Sequence, residues 1–461
     1  MAFNAEVATK AYIDGLGEEA LAQAAAYTAG NHWLMLWSLG VTVLSTWLIL
    51  RSGILTTLVG KLSGKGLFNR AFRVSAAFIV LSSIIELPWT IYTSWYRQTQ
   101  YDMTVQPLGD FLGQAGLSLA LSAVIMGVLL ALFYVLVNRV GKLWWAWFGG
   151  VTASVITLMM ILGPTLIQPL FNEYTAVPEG KVKAAIEALA VEANIPTERI
   201  FMYDGSRQSN NFTANVAGIG SSARIAISDV AMKQADLDEV KAVTGHEIGH
   251  YVSGHIWWIV LLLSAQVVVA FLLADKLFAP VARWFGADDD IRNPASIPVL
   301  ILVVGVLMTF FEPINNSLSR LNETDADRYS LETVNLPDGL ASALVKTAEY
   351  RNPRPGKLQE ILFYTHPSVE GRVRMAMEWK AEQLENESPM APDQNPPIRH
   401  NSKTSPATIR MGSETRWIIH RAEEGTWVRT NRIMPKSRSS PPTSNSRISS
   451  KRRRWSSCDG N

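Results

Sequence analysis

Residues 245–255 read GHEIGHYVSGH, and the chain passes almost at once into the apolar run 257–279, WWIVLLLSAQVVVAFLLADKLFA. On an α-helix, residues four apart are rotated by only about 40° and sit one turn apart. His246 and His250 therefore share a face and can grip one metal ion through neutral imidazole nitrogens. Glu247 lies on the flank of that face, where it can take a proton from an attacking water without binding the metal itself. Nitrogen and oxygen donors around one open position suit zinc. Asp236 is placed to cap a helix beginning near Leu237, and Glu239, three residues on, completes a capping box. That helix is expected to run through 246–250. The bland alternative is a surface helix with two histidines, which the capped start and the apolar run that follows both disfavour.

About 20 apolar residues are needed to cross ~30 Å of hydrocarbon. Five further runs qualify, roughly 32–50, 76–96, 115–137, 144–167 and 296–313, which makes about six spans. Hydrophobic residues are 48% of the chain and charged ones 18%, whereas soluble domains carry about a quarter charged. Fifteen Trp fit rings at bilayer interfaces. The expected fold class is mostly α: a polytopic helical membrane protein with a small α+β metallopeptidase domain. A net charge of +2 gives no reason to expect a nucleic-acid partner. The single cysteine, Cys458, excludes an internal disulfide and a Cys-rich zinc site. Residues 1–30 carry Glu6, Asp14, Glu18 and Glu19 and do not read as a signal peptide. Glu86, beside Pro88 in the second run, should face a bundle interior or wet cavity, or else sit at the interface of a kinked helix.

The division expected is 1–169 with four spans, 170–387 as the metallopeptidase domain with the spans 257–279 and 296–313, and a tail, 388–461. Within the polar insertion, 180–193 reads as an amphipathic helix and 199–204 and 223–228 as short strands. Residues 315–350 read as helix broken at Asn335-Leu336-Pro337, and 367–385 as a helix opened by Pro367. The tail is rich in Ser, Pro and Arg, with KRRR at 451–454. It reads as disorder. Its Trp417, Trp427 and Trp455 follow no apolar period, which is what a shifted reading frame or an appended, non-native sequence would give.

A catalytic zinc needs a third protein ligand. His255 lies five residues past His250, about 140° further round the helix, so the same helix does not bring it to the ion. It also falls one position short of the third His in the HExxHxxGxxH pattern. It reads as a residue at the helix end or behind the ligands. Downstream, 315–328 reads NNSLSRLNETDADR, in which Glu323 and Asp327 are four apart and share a helical face. One carboxylate can bind the metal while the other accepts the spare N–H of a ligating histidine. Asp325 points elsewhere and is expected in solvent. The alternative is a charged helix surface, disfavoured by its place directly after an apolar span.

GHEIGHYVSGH followed by SRLNETDADRYS resembles the type I CaaX prenyl protease family of integral-membrane zinc endopeptidases. The resemblance extends over about residues 25–385. It takes in YTAGNHWLMLW at 27–37, ELPWTIYTSW at 86–95, IQPLFNEYTAVPEGKV at 167–182, QSNNF at 208–212 and THPSVEGRV at 365–373. It implies spans that enclose a chamber, one Zn2+ ion held by His246, His250 and Glu323, and Asp327 as the accompanying carboxylate. It further implies that Asn210 hydrogen-bonds substrate backbone. His366 and Arg372 would lie near the metal, where a His or Arg can stabilise an oxyanion. Read without the family, His366-Pro367 is a common helix opener and Arg372 a surface charge. The implied partners are the lipid bilayer and a peptide or prenylated-protein substrate. The implied location is the inner membrane of a prokaryote or the endoplasmic reticulum of a eukaryote, with the active site facing the cytoplasm.

Three points stay open at this level. A heat-shock-type membrane zinc protease shares the motif but is generally shorter, with fewer spans. A catalytically silent transporter or scaffold is argued against by intact His246, Glu247, His250 and Glu323. Orientation is in conflict: Arg51, Lys61, Lys65, Arg70, Arg73, Arg139 and Lys142 lie in the first and third loops, and only Arg97 in the second. Basic short loops stay cytoplasmic as a rule, which would place the active site outside.

Overall fold

The computed structural model describes residues 3–387, together with 418–421 and 427–430. The helices used below are α1 (Ala5–Asp14), α2 (Glu18–Ser52), α3 (Leu67–Ile91), α4 (Leu108–Val140), α5 (Trp144–Leu166), α6 (Lys181–Glu192), α7 (Leu237–Val252), α8 (His255–Phe285), α9 (Ile297–Val334), α10 (Pro337–Lys346) and α11 (Val369–Glu387). Five helical stretches are long and apolar enough to cross a membrane: Glu18–Ser52, Leu67–Gln100, Leu108–Leu166, His255–Phe285 and Pro294–Val334. The third is not one rod. Between α4 and α5 the chain turns at Gly141, whose φ of 60° suits glycine. The rings of Phe133 and Phe148 lie 5.1 Å apart, whereas fifteen residues of unbroken helix would separate them by about 22 Å. The two helices double back, so each of the six apolar runs has a helix of its own.

The bundle core gathers Phe133, Tyr134, Trp144, Phe148, Phe271 and Phe278 from α4, α5 and α8. A carboxylate in this setting needs a donor, and Asp275 has one in the Trp144 indole at 2.7 Å. Glu86 is half-buried and faces a cavity lined by polar groups that include Ser83, Thr90, Gln106, Gln114 and Ser118. Of the placements the sequence left open, this is the one beside a cavity, whose wall also includes Leu87, Phe111 and Leu112. α9 runs unbroken from the last span through the ETDAD segment. It stops where Asn335 adopts φ 52°, and α10 restarts with Pro337 in its first turn. α11 begins at Val369, two residues past Pro367.

The insertion folds as a four-stranded sheet in the order β1-β2-β4-β3, with β1 Tyr174–Ala176, β2 Ile200–Tyr203, β3 Ala214–Ala217 and β4 Arg224–Ser228. β2 and β4 are the two expected strands, and they pair in parallel, Ile200 opposite Ile225. β1 and β3 add antiparallel edges of three and four residues, too short to show a period. A core of Ile186, Ile225, Ile227, Val240 and Ile248 joins sheet, α6 and α7. A further cluster packs Ile13 of α1 against Leu340, Val373 and Met377.

Of the tail expected to be disordered, only the strands Ile418–Arg421 and Trp427–Thr430 are described, and they pair antiparallel with each other. The rest of 388–461 lies outside the described residues.

Candidate metal centre

α7 begins as its sequence dictates. The Asp236 carboxylate accepts from the Glu239 N–H at 2.9 Å, and the Glu239 carboxylate accepts from the Asp236 N–H at 2.9 Å. Glu239 is itself buried and bound by Lys346 at 2.5 Å and Ser342 at 2.6 Å, which ties α7 to α10. α7 then lies tight against α9. A Cβ on Gly249 would meet the Ala326 backbone at 3.1 Å, and one on Gly245 would press on Val334. These glycines, four apart on one face, let the backbones close until a Glu323 carboxylate reaches the histidines. Their spacing is a signal in GHEIGH that the sequence reading did not use.

Three donors converge. His246 Nε2 and His250 Nε2 are 3.1 Å apart, His246 Nε2 is 3.3 Å from Glu323 Oε2, and His250 Nε2 is 3.4 Å from Glu323 Oε1. Tetrahedral ligands at about 2.0–2.1 Å from an ion stand about 3.3–3.4 Å from one another. Glu323 Oε2 is also buried without a hydrogen-bond partner, its charge balanced within the protein by the Arg372 guanidinium at 3.4 Å, and its lone pairs remain free for an ion. The three residues therefore fit a metal ion, both in donor chemistry and in spacing.

Behind the ligands, His246 Nδ1 lies 2.8 Å from Asp327 Oδ1. Donation of the Nδ1 proton there leaves the Nε2 lone pair free. Asp327 is fully buried and is gripped by both Nε and Nη2 of Arg372, at 2.6 Å each. Arg372 is thus a buried fork rather than a surface charge. Its Nη2 also comes within 3.4 Å of Glu323 Oε2. His250 Nδ1 lies 2.9 Å from His255 Nδ1, so His255 stands behind His250 and outside the three-donor cluster. Asp325 is exposed, as expected.

A cavity of about 360 Å³ opens beside the donors, with Asn211, Phe212, Thr213, Ala214, Glu247 and His366 on its wall. Burial raises the Glu247 carboxyl above the ordinary range, against the pull of the nearby histidines. His366 is pushed down to about 3, chiefly by burial, and is neutral at physiological pH. Its Nε2 lies 3.3 Å from Glu323 Oε1, while its Nδ1 is held by Thr365 Oγ1 at 2.8 Å. Asn210 is engaged elsewhere. Its side-chain amide donates to the Asp102 carbonyl at 2.8 Å and its backbone N–H to the Met103 carbonyl at 2.9 Å. The asparagine on the cavity wall is the next one, Asn211. The QSNNF stretch alone does not distinguish the two.

Two segments of the chain match known families. Residues 176–380 match peptidase family M48. Residues 4–173 match a family described as CAAX prenyl protease N-terminal, five membrane helices. Among the described residues of that segment, four helices, α2 to α5, are long enough to cross. The CAAX prenyl protease 1 of Saccharomyces cerevisiae is 25% identical over 373 residues, covering 76% of this chain and 79% of the relative. The uncharacterized metalloprotease YhfN of Bacillus subtilis is 27% identical over 320 residues, covering 66% and 74%. The crystal structure of S. mikatae Ste24p superposes with a TM-score of 0.67 at 20% identity, over 80% of this chain and 94% of that one, which shows a shared fold. The chain belongs to peptidase family M48, as a multi-pass membrane metalloprotease on the CAAX prenyl protease plan.

Proposed function

We propose that the protein is a zinc-dependent endopeptidase that hydrolyses extended peptide ends, prenylated CaaX-type C-terminal tails first among them. The observation that carries this reading is the tetrahedral spacing of His246, His250 and Glu323 with Glu247 beside them on a cavity wall. A zinc ion there supplies Lewis-acid polarisation of the scissile carbonyl and lowers the pKa of water toward 7. Glu247 takes the proton of the attacking water and passes it to the leaving amine. His366, neutral and held from behind by Thr365, has its Nε2 beside the three-donor cluster, 3.3 Å from Glu323 Oε1, from where it can donate to the developing oxyanion. Asp327 holds His246 in the ligating tautomer, and Arg372 holds Asp327.

Substrate backbone has a ready partner. β3 pairs only with β4 among the described strands, and Ala214 at its start lies on the cavity wall. An extended peptide can add to that free edge through main-chain hydrogen bonds. The substrate-binding role is accordingly assigned to the 210–214 segment, with Asn210 anchoring it to Asp102 and Met103 and Asn211 facing the peptide. Asn211→Ala is expected to raise KM severalfold at unchanged stability. Asn210→Ala is expected to lower stability by about 1 kcal/mol, the worth of one hydrogen bond. A rise in KM in Asn210→Ala but not in Asn211→Ala would reverse the assignment.

Two measurements test the reading as a whole. Chelation should abolish peptide hydrolysis, and added Zn2+ should restore it at one ion per chain. Restoration by a metal other than zinc alone would replace the cofactor. A cleavage-product map on a farnesylated and an otherwise identical unmodified peptide should show one scission three residues from the C-terminus, faster on the farnesylated form. Equal rates would point to general turnover of membrane-protein peptides. A site facing the cytoplasm is the orientation that the family resemblance implies, against the charge of the short loops. Reagent added from the non-cytoplasmic side should then label cysteines placed in the 51–75 loop; protection of that loop would reverse the orientation.

A further inference from the structure

Arg97 ends the second membrane-length stretch, Leu67–Gln100, and is 7% exposed. Its Nη2 donates to the Tyr27 carbonyl at 2.7 Å and its Nε to Asn31 Oδ1 at 3.2 Å. The guanidinium carbon lies 5.0 Å from the Tyr27 ring centroid and 4.7 Å from that of Tyr101. A Cβ on Gly30 would overlap the guanidinium, so glycine makes the room it occupies. All of these partners are neutral. Among the described residues no carboxylate pairs with Arg97, and its Nη1 donates to no protein acceptor. A buried cation is costly without an anion.

The missing anion has a place. Arg97 lines a cavity of about 460 Å³ together with Gly30, Trp33, Leu34 and Trp37 of α2, Trp89 of α3 and Tyr92 just after it. No acidic residue lines it. Trp33 and Trp37 are each 65% exposed and Tyr92 40%, so the wall opens sideways rather than into the protein. Tryptophan and tyrosine rings of this kind mark the headgroup level of a bilayer. The Trp89 N–H is already satisfied by Ser38 Oγ at 2.9 Å, which leaves its ring as apolar wall. A buried guanidinium beside an apolar, outward-open aromatic flank matches a phosphate joined to acyl chains.

We propose that this groove is a binding site for an anionic glycerophospholipid, its phosphate on Arg97 and one acyl chain along Trp33 and Trp37. The lipid would sit on the active-site side of the membrane, since His32, next to Asn31, stacks on Phe363 three residues before His366.

The test uses the full-length protein in detergent, titrated separately with phosphatidylglycerol, phosphatidylcholine, diacylglycerol and inorganic phosphate. Native mass spectrometry counts bound lipid, and the melting temperature reports stabilisation. One phosphatidylglycerol is expected per chain. Its affinity should exceed that of phosphatidylcholine by about fivefold, the worth of one interfacial cation. Arg97→Gln should erase that preference. Should Arg97→Gln fail to fold, Trp33→Ala/Trp37→Ala decides, because it leaves every bond of Arg97 in place; it should weaken phosphatidylglycerol binding severalfold. Undiminished phosphatidylglycerol binding in the double variant overturns the proposal. So does diacylglycerol binding as tightly as phosphatidylglycerol, a preference that survives Arg97→Gln, or the same stabilisation by inorganic phosphate alone.

Discussion

Glu247→Gln is expected to lower kcat for peptide hydrolysis by at least about a hundredfold, the usual worth of a general base. The substitution removes proton acceptance and nearly nothing else. Glutamine has the same shape, and Glu247 takes no part in the three-donor cluster of His246, His250 and Glu323. Metal content should therefore stay at one ion per chain, and the melting temperature should hold or rise, because a buried carboxyl is replaced by a neutral amide. Kinetics and metal analysis on one preparation separate the outcomes. Hydrolysis undiminished by the substitution sinks the assigned base. Loss of metal together with activity would mean that Glu247 supports the ligands instead.

The second large effect is expected at Arg372. Asp327 has no exposure to solvent and depends on the Arg372 fork and His246 for its partners. Arg372→Ala leaves that carboxylate buried beside one imidazole, and breaking such a pair costs about 3–5 kcal/mol. Asp327→Asn keeps the volume and removes the charge. It should fold, yet bind metal about 10–100-fold more weakly, because His246 loses the acceptor that sets its tautomer. The double variant Asp327→Asn/Arg372→Leu should recover much of the stability lost in Arg372→Ala while metal affinity stays low. Residues in one network couple, so the effects should not add. A double variant as unstable as Arg372→Ala would show that the guanidinium matters for packing rather than for Asp327.

These two residues also mark how far the sequence reading reached. Periodicity placed His246, Glu247 and His250 on one helix, and both legs of the Asp236–Glu239 capping box are present. The same arithmetic set His255 aside, and it does lie behind His250. It singled out Glu323 and Asp327 as a pair but not which of them faces the metal cluster; the resemblance named Glu323. His366 and Arg372 are far along the chain from α7, and no helical or strand period links such positions. Only the family resemblance pointed to them, and it did not foresee the Arg372 fork on Asp327. Asn210 and Asn211 are neighbours of one type, so composition cannot tell the anchored side chain from the one on the cavity wall. The edge strands β1 and β3 are set by pairing with β2 and β4 rather than by any pattern of their own.

α9 has one further consequence. Its 38 residues pass through the last membrane stretch and then present Glu323 and Asp327. α8 leaves for the membrane from His255, five residues after His250. The site is therefore not a portable module resting on an anchor. A protein engineer who trimmed the chain to its polar insertion would remove the third donor and the support behind both histidines. The membrane-length rods are thus also the frame of the donor cluster.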